Sequence, residues 1–217
     1  MQCLSLKLLE ISAIMMSVQK IDASGDSMPR CGVPLLRSEL AWYPMRVTYG
    51  REVKVKQALD NLGIENFLPM HYELVDPGDG NKRRMLVPAI RNLIFIHDSR
   101  EQITLLKTTR RELLPLRYIT KHFSESIADN ILTVPDGQMQ NFLRVASVQD
   151  DSVMFLDAGD YLTKVGRRVE ITEGYFAGVQ GVVKRIKKNK HVVVQLEGLA
   201  AVAVTYVPAS CLRELDD

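Results

Sequence analysis

Apolar and polar positions recur with two different periods along this chain, and the places where the period changes divide it into elements. From Trp42 the pattern is distinct. "AWYPMRVTYG" is short, β-prone and closed by glycine, which predicts a strand, with Pro44 pointing to an edge or a bulge. In "REVKVKQALDNLG", Val53, Val55 or Lys56, Leu59 and Leu62 recur near helical spacing, and Gly63 supplies the stop. "IENFLPMHYELVD" is extended again. "PGDGN" is a turn cluster, and "KRRMLVPAI" and "RNLIFIHD" predict two further strands. "SREQITLLKTTRREL" opens on a Ser cap and carries Ile103, Leu105 and Leu106 for a short helix, followed by "PLRYIT" as a short strand. "VPDGQMQNFLRVASVQ" starts with Pro and Asp and places Met139, Phe142, Leu143 and Ala146 on one helical face. The order β-α-β-β-β-α-β-α predicts an antiparallel sheet with helices packed on it, an α+β domain over residues 41–148.

The flanks read differently. Residues 1–40 carry an apolar stretch that Glu10 interrupts, too short and too polar for a bilayer span, and end in the turn-rich "DASGDSMPRCGVP". A mobile N-terminal extension without a site is expected there, with Met15, Met16 and Met28 as alternative starts. Residues 149–160 have the polar look of a linker, although Val153, Met154, Phe155 and Leu156 suggest that part of it docks. Beyond it come only short β-like runs, "RRVEIT", "GVVKRI", "HVVVQL", "AVAVTYV" and "CLREL", so residues 161–217 predict a small all-β barrel.

Composition narrows the function classes. With 25% charged and 46% apolar residues the chain is ordinary for a globular protein, and a net charge of +2 does not announce a nucleic-acid binder, so such a claim needs local patches. Cys3, Cys31 and Cys211 are odd in number and lack CxxC spacing, which argues against a disulfide framework or a zinc site and fits a reducing cytoplasm. His71, His97, His122 and His191 are scattered without HxxxH or HExxH spacing, the Asp150-Asp151 and Asp216-Asp217 pairs fall in a linker and a tail, and no Ser or Cys sits in an identifiable elbow. No catalytic residue, metal or cofactor is expected, and the chain reads as a non-enzyme.

The stretch "TEGYFAGVQGVVKRIKKNKHVVVQL" decides between a phosphate cradle and a tight β corner. A Walker loop needs GxxxxGK[ST], and a dinucleotide loop needs GxGxxG opening a helix, whereas a Val-rich strand follows Gly181. The GxxG of RNA-binding KH domains joins helices, which the β-flanked context does not offer. Backbone geometry is the better account: φ > 0 at Gly174, close approach at Gly178 and Gly181, and Phe176 as a core or rim anchor. The run "KRIKKNK", Lys184 to Lys190, sits where a β-turn should occur. It reads as a polar hairpin tip that guards an edge, or as a contact to RNA or the ribosome.

Gly174, Phe176, Gly178 and Gly181, followed by "HVVVQL", resemble the KOW motif of the small SH3-like barrels found in ribosomal proteins and NusG-type factors. Upstream, "WYPMRVTYGREVKVKQALDNLGIENFLP", "VPAIRNLIFIHD" and "VPDGQMQNFLRV" resemble the NusG N-terminal (NGN) domain. "NLIFIH", "VPDGQMQNFL", "GYFAGVQGVV" and "AVAVTYVP" place the likeness nearest the UpxY-type antiterminators of polysaccharide loci. The resemblance implies a monomeric elongation factor without chemistry of its own. It would bind RNA polymerase at the clamp through the NGN domain, touch the non-template DNA strand or nascent RNA, and suppress pausing or termination at selected operons. The KOW domain would recruit a small-subunit ribosomal protein or the termination factor Rho.

The family's polymerase grip falls on Ile90, Arg91, Asn92 and Leu93, with Phe95 beyond it. Here Arg stands where the family has Pro, and both aromatics are aliphatic, a swap that burial energy tolerates at about 1.5–3 kcal/mol per buried side chain. Strand alternation equally predicts that some of Ile90, Leu93 and Phe95 face the core. Arg51, Lys54 and Lys56, with Arg110 and Arg111, match the basic face that relatives turn toward nucleic acid, a phosphate contact without sequence information. Base reading would need a side chain such as Tyr49 or Asn61. The alternative function is a ribosome- or RNA-associated KOW protein without polymerase contact, kept open by the altered "IRNL" segment.

Overall fold

In the computed structural model the described residues are 39–78, 80–121, 130–156, 166–186, 189–196, 198–205 and 207–215. Nearly all of the 1–40 extension lies outside them, as do Cys3, Cys31, His122, Lys187, Lys188, Asp216, Asp217 and residues 157–165 of the linker stretch.

The "RNLIFIHD" run forms β5 (Leu93–Asp98), which pairs antiparallel with β1 (Ala41–Val47) and with the short β2 (Asn66–Phe67); β6 (Leu116–Tyr118) completes the order β2-β5-β1-β6. Leu93, Ile94, Phe95 and Ile96 are all buried, so both faces of this sheet are covered. That double covering is why the strand reads as an unbroken apolar run rather than an alternation. Pro44 corrects the edge expectation, because β1 has neighbours on both sides. The β6 pairing covers only Met45 to Val47, so the N–H that Pro44 lacks points to a side already open.

One face of the sheet packs Tyr43, Met45, Val47, Ile94 and Ile96 against α1 (Glu52–Asn61) and α2 (Arg100–Thr109). Val55, Leu59, Ile103 and Leu106 are the inward residues. Val53, Leu62 and Leu105, expected on these inner faces, are 42%, 38% and 55% exposed. In α1 the inner position goes instead to Glu52, whose carboxylate has a backbone partner described below. Ser99 caps α2 as its sequence predicts, accepting from the Gln102 N–H at 3.2 Å.

The opposite face packs Trp42, Leu93 and Phe95 against α3 (Asp136–Ala146), through Met139, Phe142, Val145 and Ala146. Leu143, expected with them, is only partly buried, and Val145 takes its place. The outer side of α3 meets a second antiparallel sheet in the order β12-β8-β9-β10-β11-β7. Its strands are β7 (Val153–Phe155), β8 (Arg168–Ile171), β9 (Gln180–Ile186), β10 (Asn189–Leu196), β11 (Ala200–Val204) and β12 (Leu212–Glu214). The five late runs seen in the sequence all form strands. The sixth, β7, comes from the linker stretch and pairs Val153 to Phe155 with β11. Phe142, Phe95, Val169, Val192 and Val202 belong to one continuous buried cluster, and residues 38–217 form one compact unit. The run "IENFLPMHYELVD" splits at Leu68-Pro69, and its second half, β3 (Met70–Val75), pairs only with β4 (Arg83–Pro88) as a separate two-stranded ribbon.

Candidate functional site

The junction between β1 and α1 is held by Thr48, whose N–H and hydroxyl both donate to the Pro115 carbonyl, at 3.1 and 3.3 Å. The chain then turns through Tyr49, at φ 67°, ψ 28°, and Gly50, at φ 59°. Tyr49 is 85% exposed, and the Arg51 guanidinium lies 5.8 Å from its ring centroid. Successive residues of a helix are separated by about 100°, which puts Lys54 and Lys56 on opposite flanks of α1. Lys56 bonds Asp60 at 3.0 Å, and Asp60 accepts from Asn66 at 2.8 Å, fixing that flank over β2. The Asn66 bond and then Lys56 hold the Asp60 carboxyl below the usual carboxylate range. Arg110 and Arg111, exposed on the 3-10 turn Arg111–Leu113, lie against α1 and near Pro115, at the other edge of the sheet. Lys54 therefore lies away from the Lys56 flank, and the turn that begins at Arg111 packs against the same helix.

The segment Ile90 to Leu93 is a turn rather than a patch. Asn92 stands at φ 61°, its N–H donating to Glu52 Oε1 at 2.6 Å and its carbonyl accepting from the Val47 N–H at 3.0 Å. Asn suits this position because it tolerates the left-handed region better than branched or bulky residues do. Leu93 and Phe95 are 5% and 0% exposed, so neither offers a surface in this arrangement. Ile90 is half-buried, and with Arg91 it lines a cleft of about 650 Å³ whose other walls include His71, Tyr72, Arg84 and Phe155.

That cleft leads to the apolar surface which the sequence reading did not single out. Register pairs Tyr72 with Leu86 and Leu74 with Arg84, so Tyr72, Leu74 and Leu86 share one face of the ribbon. Leu74 is 66% exposed, and the Arg84 guanidinium stacks 4.4 Å from the Tyr72 ring centroid. The available signal was alternation in two strands that no predicted helix had reason to cover.

In the glycine-rich loop, Gly174 and Gly178 stand at φ +85° and +83°. Gly178 also brings its backbone to Arg144 of α3, whose guanidinium donates to the Ala177 carbonyl at 3.1 Å. A Cβ on Gly181 would lie 2.7 Å from the Val193 carbonyl oxygen, so β9 and β10 approach too closely there for a side chain. Phe176 packs on the shared core, whereas Tyr175, edge-on to it at 5.2 Å, is 81% exposed. The Asn141 side chain bonds both the N–H and the carbonyl of Gln180, a second fastening between α3 and this loop. Within the basic run Ile186 pairs with Asn189, and the expected hairpin tip at Lys187 and Lys188 lies outside the described residues.

Among the described residues, no group of three or more His, Cys, Asp and Glu side chains is placed to hold a metal, and no helix is long and apolar enough to cross a membrane. No curated protein matches the chain. A solved structure described as "Domain interaction in Thermotoga maritima NusG" aligns at 19% identity and a TM-score of 0.41, covering 82% of this chain and 98% of that one. Residues 40–143, just under half of the chain, match the family model described as "Transcription termination factor nusG". Over those residues the chain is similar to the NusG family.

Proposed function

We propose that this protein is a transcription elongation factor that binds RNA polymerase at its clamp and suppresses pausing or termination, at selected operons in the manner of the UpxY-type antiterminators. The observation that carries the reading is the match of residues 40–143 to the NusG family model. Two surfaces support it. Ile90 and the ribbon face of Tyr72, Leu74 and Leu86 supply an exposed apolar area next to a cleft, the usual mark of a protein-binding surface. Arg51, Lys54, Arg110 and Arg111 form the basic flank for the non-template strand or nascent RNA. Leu93 and Phe95 act from beneath, as the packed floor under Ile90. The KOW domain of this reading spans residues 161–217, and its exposed Tyr175 beside the glycine turn is the surface offered to a ribosomal protein or Rho.

A pulldown of the tagged chain from its own cells tests this. Polymerase core subunits should be recovered with wild type and lost with Ile90→Asp/Leu74→Asp, both outside the fully buried core. Leu93→Asp is unsuitable as a probe, because a carboxylate at a 5%-exposed position unfolds the domain. Recovery of ribosomal subunits without polymerase from wild type would refute the reading in favour of a translation-side KOW protein.

A further inference from the structure

Tyr49 has no structural reason to be an aromatic residue. It occupies the left-handed region that residues with a β-carbon avoid, at φ 67°, and 85% of it is in water, so burial does not explain the ring. Asn or Gly would take the same turn without strain. The mount beneath it is nonetheless rigid, with Thr48 tied to Pro115 and Val47 to Asn92. Arg51 lies toward the ring at 5.8 Å, leaving the rest of it accessible. Lys54 follows on the flank of α1 that faces away from the Lys56–Asp60–Asn66 group, and Arg110 and Arg111 flank the turn packed against that helix. An accessible aromatic face on a fixed mount, with Arg51 beside it and further cations on the adjoining helix and turn, is what an unpaired base and its phosphates require.

We infer that Tyr49 is a stacking platform for one unpaired base of single-stranded nucleic acid, with Arg51, Lys54, Arg110 and Arg111 holding the flanking phosphates. The assignment rests on the nucleic-acid contact proposed above and adds a base-level contact to a face otherwise limited to phosphates. The two contributions separate by salt. Phosphate contacts weaken steeply as salt rises, whereas a stack on a neutral ring does not release counterions. Base identity is discriminated by stacking strength more than by hydrogen bonding.

The test is fluorescence anisotropy of the full chain with labelled 12-nucleotide single strands, DNA and RNA in separate arms, titrated from low to moderate salt. Tyr49→Gly should weaken binding roughly tenfold, the loss of about one base stack, with the salt slope unchanged. Tyr49→Asn, also tolerant of positive φ, should do the same, and Tyr49→Phe should restore wild-type affinity. Lys54→Ala should instead lower the slope by about one unit. Thermal melts of Tyr49→Gly at or above the wild-type midpoint would show that the loss is not unfolding. Tighter binding in the DNA arm identifies the displaced strand as the ligand, and tighter binding in the RNA arm identifies the transcript. If Tyr49→Gly binds as wild type while Lys54→Ala weakens, the stacking assignment falls and the phosphate face stands. If wild type binds neither strand at low salt, the nucleic-acid reading itself falls, and the assignment with it.

Discussion

Phe142 is the side chain on which the two sheets depend together. It is fully buried in α3, edge-on to Phe67 at 6.3 Å and tilted against Phe95 at 5.7 Å, and it belongs to the same cluster as Val169, Val192 and Val202 of the second sheet. Phe142→Ala removes the ring from a site walled on both sides by strands, which limits relaxation into the cavity. Core Phe→Ala changes cost about 3–5 kcal/mol, and two lost aromatic contacts favour the upper half of that range. For a unit of this size each kcal/mol moves the melting midpoint by about 2–4 °C, so a fall on the order of 10–20 °C is expected. Trp42 is the only tryptophan in the chain, and it lies in the same cluster, stacked on His97 at 4.9 Å. Its fluorescence reports the first sheet, while hydrogen exchange of Val192 to Val194 reports the second. Both should lose protection in the variant, with a single shared transition. A midpoint within about 2 °C of wild type would refute the packing argument. Loss of the Trp42 signal with unchanged exchange in β10 would show that the two sheets do not share a cooperative core.

Two further outcomes follow from local geometry. Gly181→Ala should destabilise the second sheet by about 1–3 kcal/mol, because its Cβ would meet the Val193 carbonyl at 2.7 Å and the Val192 Cγ1 at 2.9 Å; urea midpoints equal to wild type would contradict the close approach. Burial raises the phenols of Tyr43 and Tyr118 above their usual value near 10, with nearby Glu101 adding to the rise in both. A raised folded value means that the stabilisation is complete below about pH 10 and is lost as pH rises through the folded values. Urea midpoints should therefore fall as pH rises above about 10, less steeply in Tyr118→Phe, and equal slopes in the two proteins would count against burial as the cause.

The first sheet and its helices were legible because their apolar periods survive in the sequence. Where expectation and structure part, local geometry has decided which residue turns inward. Val53 looked like a core position, yet Glu52 faces inward, where its carboxylate accepts from the Asn92 N–H. Leu93 and Phe95 resembled contact residues by family position, but a strand covered on both faces hides alternate residues whatever their ancestry. The docking of α3 on the second sheet was not legible. It depends on Asn141 and Arg144 reaching the backbone of Gln180 and Ala177, a pairing between side chains and distant carbonyls that leaves no periodic trace.

Among the described residues, the two left-handed ones outside glycine, Tyr49 and Asn92, are coupled through one set of bonds. Val47 donates to Asn92, Asn92 donates to Glu52, and Glu52 opens the helix that begins just after Tyr49 and Gly50. These bonds tie the start of α1 and the end of β1 to the turn before β5. The proposed polymerase contact at Ile90 and the proposed base contact at Tyr49 thus share a frame of two hydrogen bonds, one between backbone groups and one to the Glu52 side chain. Replacing Glu52 with Gln would keep the acceptor and preserve both contacts, whereas Glu52→Ala would remove it and loosen the two surfaces together.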